Sequence, residues 1–136
     1  MASTNNTPAY RLFKLLSEKI GTLRQAVYFL NRPKTVAESL KSFVVISLPS
    51  QWHNTVHGDD GFRDEMEGLL HIFYKCKSDG TPNIDGQTAL IKDVIDLFPI
   101  KGNGAECVRP RQLVNGDDGY GYQVTSLMFD IRLNKN

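Results

Sequence analysis

Apolar residues recur at helical spacing in two stretches of the chain. The first stripe follows Thr7 and Pro8, an N-cap and first-turn pair, and stops at Gly21; it consists of Tyr10, Leu12, Phe13, Leu16 and Ile20. The second follows Asp85, which we expect to cap it, and stops before Pro99; it consists of Leu90, Ile91, Val94, Ile95 and Phe98. The pattern therefore predicts two amphipathic helices.

Other stretches have the composition or the two-residue alternation of β-strands, namely 25–30, 42–48, 65–77, 106–114 and 120–133. Residues 42–48 are continuously apolar, which indicates a strand covered on both faces, and Pro110 interrupts the fourth stretch. The last stretch has one apolar face, formed by Leu127, Phe129, Ile131 and Leu133. We expect an α+β fold of order α-β-β-β-α-β-β, with a mostly antiparallel sheet of four to five strands and both helices packed on one face.

The length and composition fit one domain. The chain has 136 residues, of which 40% are hydrophobic and 23% charged, enough to bury one core. We expect a single domain at 8–136, preceded by a disordered or extended segment at 1–7. Cys76 and Cys107 show no C-x-x-C spacing, which fits buried thiols in a reducing compartment. No apolar run approaches the roughly 20 residues that span a bilayer, so we expect assembly in the cytoplasm and no membrane partner.

The charges nearly cancel, with 16 basic and 15 acidic residues. No field of one sign covers the surface, so a partner must be met by a local patch and sequence-specific nucleic-acid binding is not expected. Arg109 and Arg111, with Lys101 upstream, form one small basic group. Such a group could meet phosphate, although solvated charges at a strand edge are commoner.

Residues 49–64 show neither the helical nor the strand period, and we interpret them as a long loop. Loops of this length inside a compact domain are usually functional or disordered, which makes this one the first candidate for partner contact. The candidate contact residues in the chain are Trp52, His53, Phe62, Arg63, Arg109 and Arg111.

The same loop carries a pattern that suggests a metal. His53 and His57 lie four residues apart with Asp59 just beyond, a spacing that on a helix would point both imidazoles at one ion. Gly58 and Gly61 make the segment a poor helix, and no glutamate stands where a zinc hydrolase needs its base. No G-x-S-x-G motif occurs either. We therefore expect no metal, no cofactor and no enzymatic activity.

The order of the elements resembles the tail-terminator and tail-completion family of long-tailed bacteriophages, a group of head-tail joining and minor tail proteins. The resemblance covers almost the whole chain and rests on the patterns of Tyr10 to Ile20, Phe43 to Leu48, Leu69 to Lys77, Gln87 to Phe98 and Gln123 to Leu133. The length of the loop at 49–64 and an inserted segment at 32–41 depart from the family pattern.

The resemblance implies a structural virion protein. Members of the family are small α+β subunits without enzymatic activity, and they form rings, typically hexameric, at the head-proximal end of the tail. The implied partners are other copies of the chain, the tail-tube protein, and the head connector and neck proteins. By resemblance, the loop at 49–64 would reach a neighbouring ring or subunit, with Trp52 and Phe62 as apolar anchors and Arg63 as a polar one.

Two other interpretations remain open on the residues alone. One is a ferredoxin-like α+β module that binds a protein or a small ligand and dimerises through its sheet. The other is a metal-dependent enzyme that uses the loop with His53 and His57.

Overall fold

A computed structural model of the chain describes residues 8–29, 40–48, 62–102 and 104–134. Its elements are α1 (Pro8–Gly21), β1 (Ala26–Phe29), β2 (Ser42–Ser47), β3 (Phe62–Lys75), α2 (Ile84–Ile95), β4 (Ile100–Gly102), β5 (Ala105–Asp117) and β6 (Tyr122–Asn134). The predicted segment at 1–7 lies outside the described residues, and so do Trp52, His53 and His57.

The strands of the described residues form one curled sheet of six strands in the order β1-β2-β3-β6-β5-β4. β1 runs parallel to β2, and the other neighbours are antiparallel. The α+β class is confirmed, but the prediction of a mostly antiparallel sheet of four to five strands is only partly right. β4 has three residues, too few to show an alternation. The direction of β1 depends on its connection to β2, which is long enough for a crossover, and a residue pattern does not reveal that.

Both helices pack on one face of the sheet, as predicted. α1 contributes Leu12, Leu15, Leu16 and Ile20, and α2 contributes Leu90, Ile91 and Val94. These side chains meet the alternate residues of the strands, which are Val44, Ile46, Leu70, Ile72, Cys107, Leu127, Phe129 and Ile131. We call this side of the sheet the helix face. It holds the main core because each element supplies its apolar stripe to the same layer.

The start of α2 differs from the prediction. The N-cap is Asn83, whose side-chain oxygen accepts a hydrogen bond from the backbone N–H of Gly86 at 3.1 Å. Asp85, predicted as the cap, lies in the first turn instead. A carboxylate is favourable there too, because it faces the positive end of the helix dipole.

β3 begins earlier than predicted and shortens the expected loop. Phe62 lies opposite Asn134 and Asp64 opposite Leu133 in the ladder with β6, so the strand includes residues that we had assigned to the loop at 49–64. The charges of this segment hide the strand in the sequence, yet backbone pairing with a long β6 does not need apolar side chains. β3 ends at Lys75, two residues earlier than expected.

The opposite side of the sheet, which we call the back face, carries a second and smaller cluster. Phe43 stacks on Phe73 with ring centroids 4.5 Å apart, and the edge of Tyr122 meets Phe43 at 5.1 Å. Val45 and Val124 complete the buried part of the cluster. Both faces of β2 are therefore covered, as its continuous apolar run predicts.

None of the helices in the described part of the chain is long and apolar enough to cross a membrane.

Candidate subunit interface

β5 is an edge strand along most of its length. β4 pairs with it only from Ala105 to Cys107. Within the described residues, no strand pairs with the outer side of 109–117. Most residues of this stretch are exposed, and Leu113 keeps 44% of its surface in solvent. In an antiparallel strand, alternate residues direct both backbone groups away from the paired neighbour, so this edge offers unused N–H and C=O groups. We call 109–117 the free edge.

A bulge marks the start of the free edge. The register between β5 and β6 shifts between Val108 and Arg111, and Arg109 adopts a left-handed backbone with φ 56°. A residue other than glycine is uncommon in this conformation, and bulges typically increase the local twist and re-aim side chains. The predicted interruption at Pro110 is therefore present as a bulge and does not end the strand. The strand continues past the bulge to Asp117.

Ion pairs beside the bulge link β5 to β6 and β3. The guanidinium of Arg109 holds Asp130 of β6, with its Nε donating to Oδ2 at 2.6 Å. Arg111 donates to Asp130 Oδ1 at 3.0 Å and to Glu67 of β3 at 3.2 Å. Hydrogen bonds from Arg111, and then from Arg109, hold the pKa of Asp130 below its ordinary value. Asp130 thus stays ionised and ties the free edge to the middle of the sheet.

The basic group predicted from the sequence is accordingly matched by acids. Lys101 contacts Glu106 at 3.1 Å, and Arg132 lies 3.6 Å from the same carboxylate. The arrangement fits solvated strand-edge charges better than a phosphate site. The arginines of the free edge still expose much of their side chains, 65% for Arg109 and 42% for Arg111, so a neighbouring molecule can meet them.

An open apolar groove of about 420 Å³ adjoins the bulge on the helix face. It lies between the end of α2 and β5, and its lining residues are Ile95, Phe98, Pro99, Val108, Arg109 and Pro110. The inner wall is fixed, because the ring of Phe98 packs against the buried ring of Phe129 at 5.6 Å. An apolar side chain presented along the free edge could enter this groove.

The predicted contact residues fall into separate places. Trp52 and His53 lie outside the described residues. Phe62 and Arg63 are the first residues of β3, beside the end of β6, and their side chains also lie outside the description. Only the pair of arginines, Arg109 and Arg111, is brought together by the structure.

The sequence interpretation missed the acids that complete the cluster. Asp130 lies on the more polar face of the predicted last strand, and Glu67 of β3 lies directly opposite it in the ladder. The alternation of β6 places Asp130 on the back face, but which residue of β5 lies beside it depends on the bulge. That register has no visible signal in the sequence.

The other polar groups of the described residues are poorly placed for chemistry. His71 Nδ1 lies 2.7 Å from Ser126 Oγ, but Ser126 is only 2% exposed, and burial lowers the pKa of His71. Burial, followed by the nearby charge of Glu106, raises the pKa of Cys107 to about 12. Burial also raises the pKa of Cys76, helped by the charges of two aspartates. Across the described ranges, no group of three or more His, Cys, Asp or Glu side chains could hold a metal ion.

Comparisons with known proteins give the fold and little more. No family model and no curated protein matches the chain. Among eleven matching solved chains, a protein without a descriptive name superposes with a TM-score of 0.56 at 12% identity, covering 100% of this chain and 99% of its own. Another, the gp17 protein of bacteriophage SPP1, has a TM-score of 0.46 and 13% identity with the same coverage. A phage protein is thus among the structural neighbours.

Proposed function

We propose that this chain is a structural protein of a phage tail, whose copies form a ring that ends the tail tube and joins it to the head connector. The observation that carries the proposal is the free edge. A strand of 13 residues that, within the described part of the chain, is paired on its outer side only at its first three residues is a template for another strand. Assembly into a closed ring would satisfy that edge, which an isolated copy leaves in solvent.

The charges beside the free edge support a role in contact. Arg109 and Arg111 already hydrogen-bond to Asp130, so a neighbour that covers them does not bury an unpaired charge. Their exposed surfaces remain available for further polar contacts at the rim of an interface. This cluster of paired charges is therefore suited to an interface between copies of one chain.

The partners follow from this role. They are other copies of the chain in a ring, six by resemblance to the phage family, the tail-tube protein below it and the head connector or neck proteins above. The proposed location is the tail of the virion, after assembly in the host cytoplasm. Trp52, His53, Phe62 and Arg63 remain proposed contacts to a neighbouring ring or subunit. No catalytic residue and no cofactor are proposed.

Mass by light scattering on a size-exclusion column, at several protein concentrations, tests the proposal. Negative-stain microscopy of the peak, and of tail tubes mixed with the protein, completes the experiment. We expect either a discrete ring-sized species or a monomer that caps one end of each tube. A dimer independent of concentration, with tubes left uncapped, would contradict the proposal.

The apolar groove favours a second candidate, a module that binds a peptide or a small apolar ligand. That module would be a monomer or dimer and would leave tail tubes uncapped. Metal content measured on the same chromatographic peak tests the third candidate, an enzyme using His53 and His57. Stoichiometric metal that is lost in the His53→Ala and His57→Ala double variant would favour the enzyme over the other two candidates.

A further inference from the structure

We infer that copies of the chain join head to tail by continuing the sheet, with β1 of one copy pairing antiparallel to the free edge of β5 in the next. The inference rests on the proposed ring and names the two surfaces that build it. β1 ends the sheet on one side and has no partner strand beyond it within the described residues. Each copy thus offers one edge to each of two neighbours.

Strand directions favour this junction. β1 is parallel to β2, and three successive antiparallel steps lead through β3 and β6 to β5. β5 therefore runs opposite to β1. Rotation about a ring axis that follows the strands keeps their direction and keeps the helix face on the same side. β1 of the next copy would then lie antiparallel to β5, with all helices on one side of the ring.

Side-chain faces narrow the choice of register, and we infer the one that covers Leu113. Leu113 lies opposite Ser126, which contacts His71 on the back face, and Tyr28 packs on the back-face cluster. Residues directly opposite each other in an antiparallel pair share a face, so Tyr28 of one copy can cover Leu113 of the next. That contact would remove from solvent the exposed apolar side chain of the free edge.

The same register brings opposite charges together. With Tyr28 opposite Leu113, Arg24, in the turn two residues before β1, and Asp117, the last residue of β5, lie at the same end of the junction. Both are exposed in the single copy. Asp117 Oδ1 accepts a hydrogen bond from the backbone N–H of Gly119 at 2.6 Å, which leaves its other oxygen for a guanidinium. The pair would hold the junction at one end.

The other end of the junction falls at the groove. Phe29 closes β1 and lies on the helix face, where its ring meets Phe13 of α1 at 4.7 Å, and it is 38% exposed. In the inferred register Phe29 stands opposite Gln112, two residues from Pro110 in the groove wall. An aromatic side chain at that position can fill part of the groove. Backbone pairing supplies affinity in this mode of binding, and the pocket supplies specificity.

The junction uses two different surfaces, so it is heterologous. Such contacts generate rings when the rotation between copies closes, whereas a junction of like edges would stop at a dimer. The geometry therefore distinguishes the ring from the sheet-mediated dimer of a ferredoxin-like module.

Charge reversal with rescue tests the junction. Arg24→Glu and Asp117→Lys should each weaken association roughly tenfold at low salt, since each replaces an attraction by a repulsion. The double variant should restore it. Asp117→Asn keeps an acceptor for the turn at Gly119 and should weaken association less. Lys14→Glu, the same charge change at an exposed position of α1, is the control and should leave the mass distribution unchanged.

Cross-linking provides a readout that does not depend on affinity. A Tyr28→Cys and Leu113→Cys double variant, mildly oxidised at high concentration, should give a ladder of multimers on a non-reducing gel. Each single variant should give no ladder, because its new cysteine faces an unchanged Leu113 or Tyr28 and can link at most two copies by chance collision. The native thiols Cys76 and Cys107 are controlled by the oxidised wild type.

The outcomes separate this inference from the proposed function. A ring-sized species that ignores both charge reversals and gives no ladder would overturn the junction and leave the ring intact. If the protein is monomeric in solution and assembles only on tail tubes, the oxidation is done on the tube-bound protein, and absence of a ladder there would overturn the junction too. A ladder and charge rescue in a protein that never joins a tail tube would support the junction while removing the phage role.

Discussion

The two faces of the sheet are stabilised in different ways. The helix face is mainly aliphatic, and its largest side chains, among them Phe129, Leu127 and Ile131, are fully buried. The back face changes along the strands, from the aromatic cluster around Phe43 at one end, through the His71 and Ser126 pair, to the ion pairs of Asp130 at the other. Burial on the helix face supplies most of the stability, because hydrophobic stabilisation grows with buried apolar area.

This difference indicates which surfaces of the chain can form contacts with other molecules. The apolar layer under the two helices has no surface to offer without unfolding, apart from the groove beside the bulge. The back face and the edge of β5 combine partly exposed charges with isolated apolar residues such as Leu113, which is typical of surfaces that partners cover. Substitutions on the helix face should therefore change stability, and substitutions at the free edge should change association.

The largest effect is expected for Phe129→Ala. Phe129 is fully buried on the helix face, where it meets Phe98 of the α2 end. Loss of its ring removes apolar burial and leaves a cavity, which costs about 3–5 kcal/mol in the free energy of unfolding. Urea denaturation followed by circular dichroism measures the change. Leu113→Ala, at the exposed free edge, should cost less than about 0.5 kcal/mol. Equal losses in the two variants would contradict the assignment of stability to the helix face.

That face was also the part that the sequence could predict. The stripes of both helices and the apolar alternation of β6 appear directly in the residues, because burial under a helix demands one apolar side at a fixed period. β4 could not be predicted, since three residues carry no period. Nor could the parallel pairing of β1 or the start of β3 at Phe62, since these depend on a connection and on a ladder with β6.

The candidate interface was predictable only in its residue types. The spacing of Arg109 and Arg111 indicates two side chains near a strand edge, and a proline between them indicates irregular backbone. The left-handed conformation at Arg109, which creates the bulge, has no glycine to mark it. Nor does the sequence indicate that β4 is short and that, among the described residues, the rest of β5 has no partner on its outer side. An exposed edge is defined by what does not pair with it, and a residue pattern does not report that.

A second prediction probes the closest approach within the helix face. Gly68 of β3 lies opposite Phe129, and a Cβ placed there would stand 2.7 Å from the ring. Gly68→Ala forces the buried ring to move, and we expect a loss of about 1–3 kcal/mol in the free energy of unfolding. Gly21→Ala is the matched control, because the added Cβ meets nothing within 4 Å at the end of α1. A stable Gly68→Ala variant would show that the two long strands adjust more easily than the packing indicates.

A third prediction concerns the aromatic end of the back face. The hydroxyl of Tyr122 donates to the backbone carbonyl of Leu40 at 2.9 Å, while its ring packs against Phe43. Tyr122→Phe keeps the ring and removes the hydrogen bond, so the expected loss is about 1 kcal/mol, measured by thermal unfolding. Tyr28→Phe, in a ring 5.6 Å from Phe43, is the control and should change little. A larger loss in the control would show that the hydroxyl of Tyr122 is not the group that matters.

The smallest effect is expected where the back face becomes ionic. Arg111 and Arg109 lower the pKa of Asp130, so the unfolded chain binds the proton more readily than the folded one. The stabilisation is therefore present above the ordinary carboxyl pKa of 3.8 and is lost as pH falls through the lower pKa of the folded state. The arginines are largely exposed, so Asp130→Asn should cost less than about 1 kcal/mol at neutral pH. Below pH 3.8, its deficit relative to the wild type should shrink.

Unfolding measured between neutral and acidic pH checks that prediction against a second ion pair. Lys92 and Asp96 lie 2.7 Å apart on α2, with 74% and 60% of their side chains exposed. Asp96→Asn should therefore cost less than Asp130→Asn, whose carboxylate is only 13% exposed and holds two arginines. If the two variants lose equal stability at neutral pH, the cluster beside the free edge adds nothing beyond an ordinary surface pair. If Asp130→Asn alone is affected, the free edge is held in place by its own charges before any neighbour arrives.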